Sequence, residues 1–289
     1  MLGKIKKYNN NKFKYLLIKK NYQEDEFAKT LLFVYTFDPQ QTCIDKNYNI
    51  EMLIYSVLSI YIELPESNIY IYTSKKEELE NIFNKYNIPT LSIKEINQKY
   101  MTDGSTTFAK IGHSRIYIIP ELLDNTNYNL IYMDNDTMVL PGKRNNVLYL
   151  LKNVIHPVGF ILESHMTVKK WLNMSANIND PNIIEEMCKG YDNYYINNNG
   201  IIIYPNNDIT KNFAHSKVKI YEYYAKKYGY FYGLDMFIFT LLMYIYKFKI
   251  LTLNSIIGNS GLLHYYRFKT TFRNNITTSL SRVDNRLLK

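Results

Sequence analysis

The sequence predicts an α/β protein built on a mixed, mostly parallel sheet with helices on both faces. Three observations carry that expectation. From residue 31 onward, short runs rich in β-branched and aromatic residues alternate with apolar segments of helical length, the pattern of strands joined by crossover helices. The runs are apolar throughout, as strands covered on both faces are. A chain of 289 residues, 46% apolar and 21% charged, is also large enough for one sizeable core.

The elements follow in order. "LLFVYTF" (31 to 37) reads as a buried strand ending at the turn signal "DPQQ". "YNIEMLIYSVLSIYIEL" (48 to 64) has helical length and is closed by Pro65. "NIYIYTS" (68 to 74) is a second strand, and "KKEELENIFNKYN" (75 to 87) an amphipathic helix with Leu79, Ile82, Phe83 and Tyr86 on one face. "FAKIGHSRIYIIPELL" (108 to 123) predicts a helix interrupted before Pro120, and "YNLIYMDND" (128 to 136) a third apolar strand that ends in charge. "YYINNNGIIIYPNN" (194 to 207) supplies a later strand, with a glycine just before it. "MFIFTLLMYIY" (236 to 246) is a buried helix, too short for a bilayer core that needs about 20 residues. "LLHYYRFK" (262 to 269) closes the sheet region or crosses the mouth of the site. Residues 30–270 are read as one domain, with a basic extension over 1–29 and a tail over 271–289.

Composition excludes more than it selects. Asn, Ile, Lys and the 29 tyrosines share AT-rich codons, so their abundance carries little functional weight. The two cysteines, Cys43 and Cys188, lie far apart and in no metal-ligand spacing, which argues against a disulfide scaffold and a structural zinc. Eight lysines in residues 1–29 surround an apolar stretch no longer than "YLLI", too short for a signal peptide. A cytoplasmic location is expected, and the sequons at Asn173 and Asn275 are then unused. The formal charge of +9 invites anionic partners without choosing among them.

The chemistry concentrates in "LIYMDNDTMVL" (130 to 140), where Asp134 and Asp136 interrupt an apolar run. Two neighbouring carboxylates call for a shared cation. Read as a strand, the segment sends residues i and i+2 to one face, so both aspartates address one ion. Oxygen ligands suit Mg2+ or Mn2+, and such an ion bridges the phosphates of a nucleotide diphosphate. In parallel sheets ligands bind beyond the carboxyl ends of the strands, where this pair falls.

"FAKIGHSRIYIIPELLDNTNYNLIYMDNDTMVL" resembles the central block of the glycogenin-like enzymes of glycosyltransferase family 8: a basic residue in a helix, then an apolar strand running into D-x-D-T. "NNNGIIIYP" resembles that family's N-[AS]-G and following strand, "LDMFIF" its D-Q-x-x-[LF] element, and "LLHYYRFK" its late His and Lys. The likeness covers about residues 30 to 270 in one consistent order. It implies a GT-A (Rossmann-like) fold, a UDP-sugar donor, Mn2+ with Mg2+ as the alternative, and transfer of a hexose, glucose first, with retention at the anomeric carbon.

The resemblance also implies roles. Asp134, Asp136 and His264 would ligate the metal, and an imidazole beside two carboxylates suits Mn2+ better than Mg2+. Lys110, Lys269 and Arg115 would meet the donor and its diphosphate, where charge grows as the sugar bond breaks. Thr36, Asp38 and Tyr48 would hold the base, and Asn135 belongs with the nucleotide-binding residues. Asn198, Gly200 and Asp235 would meet the sugar, with Asp235 as the catalytic position. The sequence departs from the family at Met236, in place of Gln, and at Asn199, in place of Ala or Ser. Front-face transfer within an ion pair needs no nucleophile from the protein. His113, His156, His165 and His215 match no family position and are read as structural or surface residues.

Three rival classes stay open. A haloacid-dehalogenase-type phosphatase also begins from D-x-D but wants Thr or Val where Met138 stands. An inactive relative keeps the fold and binds a partner, with Met236 as its support. A basic, tyrosine-rich nucleic-acid binder would use a positive groove with stacking rings, but no RNP-like or G-x-x-G signature is present. The partners expected are a nucleotide sugar and a glycan or protein acceptor, including self-glucosylation on tyrosine; a homodimer is compatible, and neither nucleic acid nor a transmembrane segment is expected.

Overall fold

The computed structural model describes residues 24–39, 46–101, 107–161, 166–175, 178, 180–231, 233–248, 251–252 and 261–264. Helical residues 24–29 (α1) lead into β1 (Leu31–Thr36). There follow α2 (Lys46–Glu63), β2 (Asn68–Thr73), α3 (Lys76–Phe83), β3 (Leu91–Glu95), α4 (Thr107–Asn125) and β4 (Asn129–Met133). The second part holds β5 (Thr137–Val139), α5 (Arg144–Asn153), β6 (Val158–Ile161), α6 (Val168–Ser175), α7 (Pro181–Cys188) and β7 (Asn197–Tyr204). It ends with α8 (Asp208–Tyr228), α9 (Leu234–Ile245), β8 (Leu251–Thr252) and β9 (Leu262–His264).

The main sheet has the order β3-β2-β1-β4-β7-β6-β8, and β5 and β9 form a separate two-stranded sheet. Strand β1 runs parallel to both β2 and β4, β2 parallel to β3 and β6 parallel to β8, while β7 is antiparallel to β4 and β6. The expected α/β class, a mixed and mostly parallel sheet flanked by helices, is the observed one. The chain leaves β1 toward β2 and β3, then returns to β1's other side with β4. The gap between the carboxyl ends of β1 and β4 is therefore a topological switch point, where such sheets open a crevice.

The two-residue period of β1 sorts its side chains between two cores. Leu31, Phe33 and Tyr35 face α2, α3 and α5, together with Ile69, Ile71, Ile131 and Met133. Leu32 and Val34 face α4, α8 and α9 on the other side, with Leu130, Tyr132, Ile202 and Tyr204. Among the described residues no helix is long and apolar enough to cross a membrane. The segment at 236 to 246 is the buried helix α9, with Phe237, Ile238 and Phe239 in the core.

Four local readings change. Helix α4 runs through Pro120 without a break. The proline removes one helical hydrogen bond, but Ile116, Ile118, Ile119, Leu122 and Leu123 are all buried on this helix. At about 1.5–3 kcal/mol per buried aliphatic side chain, their packing outweighs the roughly 3 kcal/mol cost of an interior proline. Strand β3, which lies at the sheet's edge, has no counterpart in the sequence expectations, and neither do α5 to α8, β6 and β8. Of the two readings for segment 262–264, closing the sheet region or crossing the mouth of the site, the first changes: it pairs with β5 beside the D-x-D turn, not with the main sheet. The fourth change concerns the aspartates: β4 ends at Met133, and residues 134 to 137 turn, with Thr137 N donating to Asp134 O at 3.2 Å and Thr137 Oγ1 to the same oxygen at 2.5 Å. The strand periodicity that was to aim both carboxylates does not extend to them; both lie in the turn that follows the strand.

Candidate functional site

That turn sits at the switch point. Asp134 N donates to Gly200 O at 2.7 Å, which ties the end of β4 to β7. Asn135 Nδ2 reaches Asn49 O on α2 at 3.4 Å. Beyond the turn, β5 pairs antiparallel with β9 so that Thr137 stands opposite His264. The residue after Asp136 is thus paired with the expected imidazole position, although the His264 side chain lies outside what the structure describes. Among the described residues no group of three His, Cys, Asp or Glu side chains gathers. The chemistry of the expected donor set, two carboxylates in one turn and a histidine opposite it in register, fits a divalent cation that accepts oxygen and nitrogen.

Other expected residues distribute around this rim. Thr36 ends β1, and its Oγ1 lies 3.0 Å from Tyr132 Oη. Asp38 is 2% exposed and accepts from Ser74 Oγ. Lys110 is half-buried on α4, five residues before Arg115, so the two leave the helix about 140° apart. Asn198 Oδ1 accepts from Gly200 N at 2.6 Å. Tyr48 lies on α2, but its side chain is outside the described set, as is the whole of Lys269.

Gly200 also marks a change of phase in β7. Asn199 Nδ2 donates to Asp235 on α9, while Ile201, two residues later, packs on the opposite face of the sheet. In a regular strand residues i and i+2 share a face. The β6–β7 register jumps in the same stretch, from Val158↔Ile203 to Phe160↔Asn198. The irregularity re-aims Asn199, as a bulge does beside a site.

Arg115 is the central cation. It is 8% exposed. Its Nε donates to Asp235 Oδ2 at 2.8 Å, Nη2 donates to the same oxygen, and Nη1 reaches Asn199 O at 3.2 Å and Asp134 Oδ1 at 3.4 Å. The guanidinium lies 4.6 Å from the centre of the Tyr132 ring. Asp235 is 2% exposed, and its Oδ2 also accepts from Asn199 Nδ2 at 3.0 Å. The position expected to be catalytic is thus a buried carboxylate facing Arg115.

Two further residues complete the cluster: His113, read from the sequence as structural or surface, and Lys217, which that reading did not single out. His113 Nε2 lies 3.8 Å from Asp235 Oδ1, while its Nδ1 is 2.6 Å from Tyr221 Oη on α8. Lys217 is 3% exposed, and its Nζ lies 5.2 Å from the centre of the Phe239 ring. Burial alone would raise the Asp235 carboxyl, but Arg115, then His113 and Lys217, outweigh it and hold the group well below the usual range. Burial pushes His113 down to about 4, with Arg115 and Lys217 adding to the push and Asp235 opposing it. Burial likewise brings Lys217 down to about 7, opposed by Asp235 and aided by Arg115. One signal for Lys217 was legible: it lies at i+4 spacing with Phe213, Tyr221 and Ala225, all buried on α8, and a lysine within an apolar stripe is out of place there.

No family model and no curated protein matches the chain. Among solved structures the chain is similar to mouse xyloside xylosyltransferase 1 in its apo form, with 11% sequence identity and a TM-score of 0.45, over 83% of this chain and 98% of that chain.

Proposed function

We propose that the protein transfers a hexose, glucose first, from a UDP-sugar to a hydroxyl acceptor, with a divalent cation held by Asp134, Asp136 and His264. The reading rests on the motifs shared with the glycogenin-like enzymes. One observation carries it furthest: the D-x-D turn lies at the topological switch point, and β5, which follows that turn, sets Thr137 opposite His264. The cation, when bound, offsets the charge that gathers on the departing nucleotide diphosphate. Thr36 and Asp38 line the end of the neighbouring strand, on the side where the family resemblance puts the base. Asp235 contributes by holding Arg115, which keeps a fixed positive charge beside Asp134.

The test is release of UDP from UDP-glucose with Mn2+ present. Asp134→Asn and Asp136→Asn are each expected to lower the rate by about 100-fold or more, the scale seen when one preorganised electrostatic contact is removed. Turnover that is indifferent to metal would refute the site. Intact mass after incubation with donor reads out self-modification in the same experiment.

A further inference from the structure

Asp134 Oδ1 is gripped from inside the fold. Tyr132 Oη donates to it at 3.0 Å, and Arg115 Nη1 approaches at 3.4 Å. A carboxylate only accepts, so the single phenolic proton of Tyr132 goes to Asp134. The Tyr132 oxygen is then left to accept from Thr36 Oγ1, 3.0 Å away on the neighbouring strand. Tyr132 is 2% exposed, whereas the Asp134 side chain is 37% exposed. A chain of oriented hydroxyls therefore runs from the end of β1, through the interior, to a carboxylate at the surface.

The two inner donors differ in what they would do to a cation. Arg115 is itself positive and repels one. Tyr132 donates through a neutral hydroxyl, fixed between Thr36 Oγ1 and Asp134 Oδ1. A neutral donor of this kind fixes the carboxylate's rotation, removing an ordering cost from metal binding without adding a competing charge.

We propose that Tyr132, backed by Thr36, is a positioning residue that sets the affinity of the Asp134 rim for a divalent cation. The inference rests on the reading of that rim as a cation site, and the experiment separates the two. Free Mn2+ is measured by electron paramagnetic resonance during titration of the full chain, for the wild type and for Asp136→Asn, Tyr132→Phe and Thr36→Val. The wild type is expected to bind and Asp136→Asn to lose binding. Tyr132→Phe is expected to weaken affinity about 10-fold, the low end for loss of a ligand's outer partner. Thr36→Val, which removes a hydrogen bond one step further away, is expected to weaken it about 3-fold.

A purely structural role for the hydroxyl would lower the thermal midpoint and leave Mn2+ affinity unmoved. Wild-type affinity in both Tyr132→Phe and Thr36→Val overturns the inference while the cation site stands. If Tyr132→Phe does not fold, Thr36→Val decides alone, and unchanged affinity there overturns it. A wild type that does not bind Mn2+, or an Asp136→Asn that binds equally well, takes down the cation site and the inference with it.

Discussion

Two tyrosines on neighbouring strands, Tyr35 on β1 and Tyr132 on β4, are both buried, yet they face opposite sides of the sheet. Tyr35 Oη lies 2.6 Å from Ser56 Oγ, a neutral partner on α2. Tyr132 Oη donates to Asp134, and its ring lies beneath Arg115. The Tyr35 face is packed by aliphatic and aromatic side chains. On the other face Arg115, Asp235, Lys217 and His113 are enclosed among α4, α8 and α9. One sheet thus supports a neutral core and an ionic one, and the ionic face is the one continuous with the rim. Between the acid and mildly alkaline ranges, the pH dependence of stability is expected to be strongest through that face, because charges removed from water are paired there at high stakes.

The largest expected break is Asp235→Ala. It leaves Arg115 buried without its principal counter-ion, and losing one partner of a buried pair costs about 3–5 kcal/mol. Urea unfolding at pH 7 reads the loss directly. A loss below about 1 kcal/mol would mean that the ionic face is not held by this pair. The sign with pH follows from the depressed carboxyl: its stabilisation is present above the unfolded value near 3.8 and is lost as pH falls toward the lower folded value.

Lys217→Met is the next in size and opposite in sign. In the folded protein Lys217 titrates near 7, against 10.5 for the free side chain. Between those values the unfolded chain binds the extra proton, so this lysine makes stability rise with pH from about 7 to 10.5. At pH 6 it is charged in both states, and burial then works against folding. Replacing it with an apolar side chain is expected to stabilise the protein by about 1–4 kcal/mol at pH 6 and to flatten the alkaline limb. His113, displaced from 6.5 to about 4, acts the same way at lower pH: stability falls as pH drops through that interval. A pH profile unchanged in Lys217→Met would place the titration elsewhere.

The same comparison explains what the sequence could reveal. β1, β2, α2 and α9 were legible because each is a run of one character bounded by a clear stop, such as Pro65 after α2. Strand β3, "LSIKE", mixes polar and apolar residues at the sheet's edge and offers no such run. The turn at Asp134 was hidden because apolar residues resume at Met138 as though one strand continued. The aspartates were legible as a charge anomaly inside an apolar run, and that anomaly does not depend on their conformation. Arg115 and Asp235 were each singled out, but their pairing in one ionic cluster was not legible, since its contacts join residues far apart in sequence: Arg115 with Asp235 across 120 positions and His113 with Tyr221 across 108. Neighbouring residues give no cue for such pairs, and only the packing of α4, α8 and α9 creates them.

The smallest expected effect tests the neutral face. Tyr35→Phe removes one hydroxyl and its bond to Ser56 Oγ while keeping the ring among Leu31, Phe33 and Met133. Ser56 Oγ is then left buried without that partner, and the ring's packing is unchanged, so the loss is expected to be about 1 kcal/mol. It should also be the same at pH 5 and pH 9, because burial raises the Tyr35 hydroxyl far beyond that range and its partner does not titrate. Chemical denaturation at the two pH values measures both features together. A loss that varied with pH would mean that the two faces are coupled through the sheet, with Met133 as the nearest route, since its Sδ lies 3.9 Å from Tyr35 Oη and its backbone leads directly into Asp134.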